Sequence, residues 1–350
     1  MSMAASEAMI VPYALGFSFR KRSLVRQFLN HPAIHFVGSD KSIPDGVTVA
    51  VWASGTYGIG WTPPEGKERF RRIFLEDGFL RSVGLGADLI RPLSWVVDAR
   101  GIYYDASRPS DLEHLLQHSI SDPETLQRAA LMRGRLVANR LTKYNVGAVP
   151  WCRSTNATGR SLVLAVGQVE TDAALAFGAP GIRTNLALLK AARLAHPKAW
   201  LIYKPHPDVV AGLRNSGQNE QDASKWCDEI VTETSMASML DNVDIVHVLS
   251  SLAGFEALLR GKEVVCHGLP FYAGWGLTQD AVTLPRRSRR LSLDELVAGT
   301  LLRYPRYVSR TTGYLCSAEQ ALDDLITWKA TSRPGIPIWR KILRIVLKRP

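Results

Sequence analysis

The sequence lacks the features that mark membrane-spanning, disulfide-rich and zinc-binding proteins. No stretch of its 350 residues approaches the roughly 20 consecutive apolar residues that a bilayer-spanning helix requires. The 4 cysteines are scattered without a CxxC pair, which favours reduced core thiols over a disulfide framework or a zinc site. The N-terminal MSMAASEAM has no basic region followed by an apolar core, so we expect a cytoplasmic protein.

Motifs of several nucleotide-dependent enzymes are also absent. Neither GxGxxG nor GxxxxGK[ST] occurs, which argues against a dinucleotide cofactor and against a P-loop kinase. GxSxG is missing as well, which argues against an α/β-hydrolase. The chain has no DxD triplet to hold Mg²⁺, and we therefore expect neither a metal nor a bound cofactor.

Positive charge is present in excess, with a formal net charge of +11. One basic cluster is the loop PRRSRR at 285–290, and another is IPIWRKILRIVLKR at 336–349. The second cluster predicts an amphipathic helix that contacts an anionic membrane surface and so makes the protein peripheral on the inner membrane. The alternative is a helix that packs on the protein body with a solvated polar face. We expect no nucleic-acid partner, because no recognised binding module accompanies the charge.

Strand and helix patterns alternate along the chain, which predicts an α/β fold with two units. The polar segment Thr142–Arg160 is broken by glycine and proline and looks like the crossing between the units. We expect a first domain at 1–150, a second at 151–312 and C-terminal helices at 313–350 that pack back on the first domain. The predicted strands of the first unit are Ile10–Leu15, Ile34–Val37, Val47–Trp52, Ile73–Leu75 and Trp95–Val97. Those of the second unit are Ser161–Val166, Trp200–Tyr203, Ile230–Val231, Ile245–Leu249 and Val264–His267.

The segment 247–280 is the most informative part of the chain. An apolar strand runs into Ser250 and Ser251, and a helix follows directly. Free amides at a helix start, together with two hydroxyls, can hold an anion. Glu256, one turn into the helix, could accept hydrogen bonds from a ribose. The alternative is a serine that caps an ordinary helix.

A second strand, AWLIY, ends in KPHPD at 204–208. Its two prolines fix the backbone, and we expect them to aim Lys204 and His206 outward, where a cation and an imidazole suit a phosphate. A histidine in this position is otherwise a turn residue. Ligands of such sheets collect at the carboxyl ends of strands, so these side chains and the Ser250–Ser251 pair are expected to meet.

KPHPD, SSLAGFEALLRGKEVVCHGLPFYAGWGLT, EDGF at 76–79 and GIYYDASRPS together resemble the bacterial capsule polysaccharide biosynthesis family. Its best-understood members transfer β-linked 3-deoxy-D-manno-oct-2-ulosonic acid (Kdo) from CMP-Kdo. The resemblance runs from about Val47 to about Gly313. It implies the GT-B architecture, two Rossmann-like domains that face a cleft. Many relatives carry two such modules in tandem, whereas this chain has one module and no internal repeat.

The resemblance also implies roles for residues after the first strand of the second unit. Asp172 is expected to be the nucleophile of a retaining transferase, because a facing carboxylate can trap the cationic sugar as CMP leaves. Glu170 could orient the nucleophile or could simply be solvated, and Gln168 would contact the sugar donor. Without the resemblance, a turn or helix-cap role for Asp172 is the favoured interpretation.

In the first unit, Glu76 or Asp77 would take the proton of the acceptor hydroxyl. The remaining acceptor-binding candidates are Phe79, Arg81, Tyr104 and Arg108. For Tyr103 and Tyr104, packing is favoured over binding. The loop FYAGWG at 271–276 could either cover the donor or plug the domain junction.

The resemblance therefore implies a CMP-Kdo-dependent retaining transferase that acts on a saccharide or lipid-linked acceptor. Two alternatives stay open, a non-catalytic polysaccharide-binding or export-assembly component and a transferase that uses another nucleotide sugar.

Overall fold

A computed structural model describes residues 11–57, 69–85, 90–118, 122–147 and 149–332. Within these residues the strands are β1 Tyr13–Leu15, β2 His35–Val37, β3 Thr48–Trp52, β4 Arg71–Asp77, β5 Ser94–Asp98, β6 Leu162–Val166, β7 Trp200–Lys204, β8 Glu229–Ile230, β9 Ile245–Val248, β10 Glu263–Cys266, β11 Gln279–Asp280, β12 Pro305–Val308 and β13 Leu315–Cys316. The helices are α1 Phe19–Leu29, α2 Ala53–Tyr57, α3 Asp111–His118, α4 Pro123–Ala138, α5 Ala173–Gly178, α6 Asn185–Ala195, α7 Pro207–Val210, α8 Met236–Asn242, α9 Leu252–Leu259, α10 Leu293–Val297 and α11 Ala318–Thr331.

The first sheet has seven strands in the order β13-β12-β5-β4-β3-β1-β2. Strands β1 to β4 are parallel, whereas β5 pairs antiparallel with β4 and β12 pairs antiparallel with β5. Parallel strands are covered by helices on both faces, so the residues at their centres are apolar. In β3, for example, the three central residues Val49, Ala50 and Val51 are all buried.

The second sheet has six strands in the order β11-β10-β9-β6-β7-β8, and all of its pairs are parallel. Its central strand β6, LVLAV, is buried at every position. Both faces of the sheet are covered, because Leu164 belongs to the large core and Val163 to the core beneath α6. The parallel order places the carboxyl ends of β6, β7, β9 and β10 along one edge, where ligands of such sheets bind.

The chain returns to the first sheet before the predicted boundary at residue 312. Strands β12 and β13 extend that sheet, and α11 then packs against its side. Arg128 and Arg135 of α4 pair with Glu319 and Asp323 of α11. The expected packing of the C-terminal part on the first half is thus present. The division into domains at 150 and 312 stays a prediction.

Aromatic side chains fill the junction between the two sheets. Phe79 lies 4.8 Å from Tyr103 and 4.8 Å from Phe271, measured between ring centroids. Phe271 in turn contacts Phe255 of α9 at 5.4 Å. The predicted acceptor-binding residue Phe79 is therefore a core residue of this junction, and we no longer include it among the acceptor ligands.

The basic loop 285–290 is also a junction element. Arg287 Nε lies 2.9 Å from Glu113 Oε2 in α3, and Arg286 pairs with the other oxygen of the same carboxylate. Arg287 further donates to the carbonyls of Pro270 and Ala273 at 2.6 and 2.8 Å. These arginines hold the second unit against the first.

Candidate active site

A cleft opens between the two sheets. It is lined by Tyr103, Tyr104, Lys143, Tyr144, Gln168, Val169, Asp172, Ala174, His206, Ser250, Ser251, Leu252, Pro270 and Phe271. The second unit supplies the loops that follow β6, β7, β9 and β10, whereas the first unit supplies two tyrosines that follow β5. Five residues proposed for donor binding or catalysis therefore meet in one place: Gln168, Asp172, His206, Ser250 and Ser251.

Asp172 stands at the start of α5 without capping it through its side chain. The carboxylate instead lies 3.5 Å from Arg214 Nη2, and 42% of its side chain is exposed. Burial raises the pKa of Asp172, while Arg214 and His206 favour the ionised form and oppose that rise. The arrangement leaves a half-exposed carboxylate facing the cleft, which weakens the helix-cap interpretation.

His206 presents a hydrogen-bond donor rather than a charge. Its Nδ1 accepts the backbone N–H of Asp208 at 3.2 Å, so the proton of the neutral ring is assigned to Nε2. Burial lowers the pKa of His206 to about 4, although Asp172 partly opposes the shift. The neutral imidazole can therefore donate one hydrogen bond to an anion in the cleft.

Lys204 does not lie in the cleft lining, so the expectation that it points outward is wrong. It is the last residue of β7, 7% exposed, and its Nζ donates to the carbonyl of Thr234 at 2.6 Å. Burial lowers the pKa of Lys204 to about 8. The first residue to leave the strand is Pro205, so the prolines aim His206 but not Lys204 toward the ligand.

The two serines have different hydrogen bonds. Ser250 is locked to Gln168, which accepts its N–H at 2.8 Å and donates to its Oγ at 3.2 Å, and its hydroxyl donates to the carbonyl of Ala174. Ser251 Oγ accepts the N–H of Ala253 at the start of α9, so its own proton is free to point at a ligand. Ser250 and Gln168 thus fix the turn between β9 and α9, and the hydroxyl of Ser251 can donate a hydrogen bond to a ligand.

Gly254 explains one part of the SSLAGFE pattern. The hydroxyl of Tyr272 lies over Gly254 and donates to the carbonyl of Ser251. A Cβ at position 254 would lie 2.2 Å from the hydroxyl oxygen of Tyr272.

We expect Gly254→Ala to displace Tyr272, lower the free energy of unfolding by about 1–3 kcal/mol and weaken CMP binding. Thermal melting and calorimetric titration with CMP measure both effects.

Gly134→Ala is the matched control, because Gly134 lies inside α4 and a Cβ there would meet nothing within 4 Å. It should stabilise the protein by about 0.5–1 kcal/mol. Equal behaviour of the two variants would rule out the steric account of Gly254.

Two carboxylates of the second unit support the site from outside it. Glu170 accepts the N–H groups of Asn185 and Gln218 at 2.7 and 2.8 Å, which ties the loop after β7 to the start of α6. Glu256 accepts the N–H of Lys143 at 2.7 Å and is absent from the cleft lining. We therefore assign both to positioning and no longer include Glu256 among the ribose ligands.

Burial raises the pKa of Glu256 to about 7 from 4.5. The folded state therefore holds this proton more tightly than the unfolded state, and the resulting stability is complete below pH 4.5 and lost as the pH rises through about 7. Glu256→Gln does not titrate. We expect its stability relative to the wild type to rise by on the order of 3 kcal/mol between pH 4.5 and about 8.

Chemical denaturation at several pH values checks this prediction. Glu263→Gln, which removes an exposed carboxylate of β10, controls for the loss of one negative charge. The same pH trend in both variants would contradict the assignment to Glu256.

The two acids of the first unit, Glu76 and Asp77, do not line the cleft, but Glu76 contacts a residue that does. Glu76 accepts the N–H groups of Ser54 and Asp77, each at 3.1 Å, and the hydroxyl of the cleft residue Tyr104 at 3.5 Å. Burial and the neighbouring Asp77 raise the pKa of Glu76, whereas Lys21 and Lys143 oppose the shift. Glu76 is thus placed to accept a proton through Tyr104.

The other acceptor candidates are engaged with protein partners. Arg81 Nε lies 2.6 Å from Asp77 Oδ2, and Arg108 Nε lies 3.3 Å from Asp105. Of the four residues predicted to bind the acceptor, only Tyr104 lines the cleft. The proposed acceptor roles of Arg81 and Arg108 stay predictions.

Sequence reasoning missed Lys143, Tyr144 and Arg214, and it favoured packing for Tyr103. Lys143 and Tyr144 lie in the predicted crossing between the units, where no strand or helix pattern marks a residue as a ligand. The position of these residues in the crossing could have indicated a ligand-binding role, because ligand sites of two-domain enzymes often lie where the domains meet.

Membrane-spanning helices and metal-binding clusters were searched for in the described residues only. No helix within the described ranges is both long enough and apolar enough to cross a bilayer. A search of the same residues finds no group of three or more His, Cys, Asp or Glu side chains that could hold a metal ion. The basic segment 336–349 lies outside the described residues.

Sequence comparison identifies relatives. The family described as capsule polysaccharide biosynthesis protein matches residues 66–146 and 123–307. The capsule polysaccharide modification protein LipA of Neisseria meningitidis serogroup B is 41% identical over 91% of this chain and 46% of its own length. The lipopolysaccharide-processing protein LpsZ of Rhizobium meliloti is 43% identical over 75% of this chain and 59% of its own. The chain thus spans about half the length of the curated relatives it matches.

Two solved structures share the fold. The β-Kdo 2,7 transferase of Thermosulfurimonas dismutans KpsC superposes with a TM-score of 0.77 and 37% identity, covering 91% of this chain and all of that one. The β-Kdo 2,4 transferase of KpsC gives 0.76 and 32%, covering 90% and 98%. The predicted GT-B-like α/β architecture is confirmed by this agreement. Family match, sequence identity and fold concur, and the chain belongs to the capsule polysaccharide biosynthesis protein family.

Proposed function

We propose that this chain is a retaining β-Kdo glycosyltransferase that transfers Kdo from CMP-β-Kdo to a saccharide or lipid-linked acceptor in surface polysaccharide synthesis. The observation that carries the proposal is the half-exposed carboxylate of Asp172, in the same cleft as His206 and Ser251. The similarity to the two KpsC transferases supports the choice of sugar.

The donor phosphate would lie at the start of α9. Ser251 offers a hydroxyl proton there, and His206 offers its Nε2 proton from the neighbouring loop. Both donors are fixed before the ligand arrives, and fixed donors stabilise the negative charge that develops as CMP leaves. Each well-placed donor of this kind contributes roughly 10²–10³ in rate.

The first displacement would be made by Asp172. Its carboxylate oxygen attacks the anomeric carbon of Kdo, the bond from that carbon to the phosphate oxygen breaks, and the electron pair departs with CMP. The product of this step is a glycosyl ester on Asp172. Arg214, 3.5 Å away, favours the ionised form of the attacking group.

The second displacement returns the carboxylate. An acceptor hydroxyl attacks the same carbon, the bond to Asp172 breaks, and the hydroxyl proton passes to a base of the first unit. Glu76 is our candidate for the base, because burial raises its pKa and Tyr104 connects it to the cleft. Two displacements at one carbon retain the β configuration.

The direct test supplies the protein with CMP-Kdo generated in situ and a short Kdo-lipid acceptor. We expect a product one Kdo residue heavier by mass spectrometry, a β linkage by NMR, and turnover that persists in EDTA.

Loss of turnover in EDTA that Mg²⁺ restores would overturn the metal-free step. A melting temperature raised by UDP or GDP but not by CMP would show another donor, and CMP binding without any product would indicate the non-catalytic alternative.

A further inference from the structure

Lys143 presents a cation to the cleft that the mechanism above does not use. It follows α4 in the crossing between the two units and lines the cleft beside Tyr144. Its ammonium lies 5.4 Å from the centroid of the Tyr144 ring, and no ion pair within the described part of the chain includes it. The side chain is half-buried, so part of it remains accessible from the cleft that it lines.

The backbone of Lys143 is held from both sides. Its N–H donates to Glu256 of the second unit at 2.7 Å, and its carbonyl accepts the N–H of Ser82 of the first unit at 3.3 Å. Arg260 fixes the same segment through the carbonyl of Leu141 at 3.0 Å. A residue clamped by both units holds one position in the cleft before any ligand binds, which is how a specificity-determining contact is built.

The charge of Lys143 persists at neutral pH. Burial works against it, but Tyr144, Tyr103 and Asp77 favour it, and together they raise the pKa of Lys143 above its ordinary value. The ammonium also acts on the site, because it favours the ionised forms of Asp172 and Glu76 and disfavours protonation of His206. It therefore lies within electrostatic reach of the proposed nucleophile Asp172, of the proposed base Glu76 and of His206.

Other cations near the cleft have partners. The ammonium of Lys204 is bound by the carbonyl of Thr234, and the guanidinium of Arg81 is bound by Asp77. Arg214 pairs with Asp172. The ammonium of Lys21 lies 3.2 Å from the centroid of the Trp52 ring, closer than the 5.4 Å between Lys143 and the Tyr144 ring. Lys143 is thus the cleft-lining lysine that is available for an anion, within the ranges that the structure describes.

A CMP-linked Kdo carries two anions, and the phosphate accounts for one of them. The other is the carboxylate on the anomeric carbon itself, the carbon that Asp172 would attack. Two like charges at that distance repel strongly unless a cation lies between them. His206 and Ser251 are neutral donors and cannot supply that charge.

We propose that Lys143 binds the carboxylate of the donor sugar and thereby selects a carboxylated ketose over a neutral one. This inference rests on the proposed function, because it requires a CMP-linked ulosonic acid in the cleft. The contact screens Asp172 from the sugar carboxylate and aligns the anomeric carbon with the nucleophile.

The test combines a change in the protein with a change in the donor. Lys143→Met keeps the length of the side chain and removes its charge, and a CMP-Kdo carboxamide removes the charge from the sugar. We expect Lys143→Met to lower kcat/KM with CMP-Kdo by roughly 10²–10³-fold, and to affect the carboxamide donor by less than about 10-fold. Lys143→Arg should retain more activity than Lys143→Met, and the affinity for CMP, which has no sugar carboxylate, should change by less than about 3-fold.

Lys225→Met is the control, because Lys225 forms an exposed surface pair with Asp222 and lies outside the cleft. Equal losses of Lys143→Met with both donors, or a parallel loss of CMP affinity, would overturn the carboxylate contact. Absence of transfer by the wild-type protein would instead show that the proposed function is wrong. Should Lys143→Met not fold, as judged by circular dichroism, the same donor comparison with Lys143→Arg decides the question: a smaller preference for the carboxylated donor than in the wild type supports the contact, and an unchanged preference refutes it.

Discussion

Asp172→Asn is expected to reduce Kdo transfer by about 10⁴-fold or more, because the amide cannot form the glycosyl ester. CMP should bind as well as before, or more tightly. The reason is that the substitution removes a negative charge from the cleft that is proposed to hold the CMP phosphate, and leaves His206 and Ser251 unchanged. Initial rates by mass spectrometry and titration calorimetry with CMP measure the two quantities separately.

Asp222→Asn serves as the control for this experiment. Asp222 is a surface carboxylate that pairs with Lys225, and we expect full activity from the variant. An Asp172→Asn protein that retains more than about a tenth of wild-type activity would exclude Asp172 as the nucleophile. Loss of CMP binding together with activity would indicate that Asp172 supports the fold of the site instead.

Glu113→Ala is expected to have the largest effect on stability. It leaves Arg286 and Arg287 without their carboxylate, and the side chain of Arg287 is only 3% exposed. Removing one partner of a buried ion pair typically costs about 3–5 kcal/mol, because the remaining charge stays desolvated. Burial already lowers the pKa of Arg287 despite the opposing effect of Glu113. We expect a markedly lower melting temperature by calorimetry.

The same substitution should loosen the two units relative to each other. We therefore expect kcat to fall more than the affinity for CMP. The two residues proposed to donate hydrogen bonds to the phosphate, His206 and Ser251, both belong to the second unit. Asp45→Ala is the matched control, because the pair of Asp45 with Arg69 is exposed on both sides, and it should cost about 0–1 kcal/mol. Similar small losses in both variants would show that the Glu113 pair does not hold the units together.

Sequence patterns predicted the second sheet well because its strands are continuous apolar runs. Strand β6 was expected at Ser161–Val166 and lies at Leu162–Val166. Helix α4 ends at Ala138, where Asn139 caps it and Arg140 adopts a positive φ of 51°. Strands β11, β12 and β13 were not predicted. β11 and β13 have two residues each, which carry no periodicity.

The candidate site was predictable where a strand leads directly into it. Asp172, His206 and Ser251 each follow a buried strand within a few residues, and parallel strands bring their carboxyl ends to one edge. The direction of a single side chain is a different problem. Lys204 and His206 are two residues apart, yet one is tied to Thr234 below the surface and the other faces the cleft.

Partners distant in the chain were not predictable from one sequence. The sequence shows the basic cluster at 285–290 but not its partners, and Arg286 meets a carboxylate 173 residues earlier in the chain. Phe79 likewise depends on Phe271 from the other unit. Such contacts are set by how the two units dock, and neither spacing nor composition encodes that geometry.

Peptide mapping of the protein after incubation with CMP-Kdo, without acceptor and with a rapid acid quench, tests the role of Asp172 most directly. We predict that the peptide containing Asp172 gains the mass of one Kdo residue, that added acceptor discharges it, and that Asp172→Asn abolishes it. A Kdo adduct on another residue, or an unmodified Asp172 peptide in a sample whose parallel aliquot turns over acceptor, would contradict the mechanism.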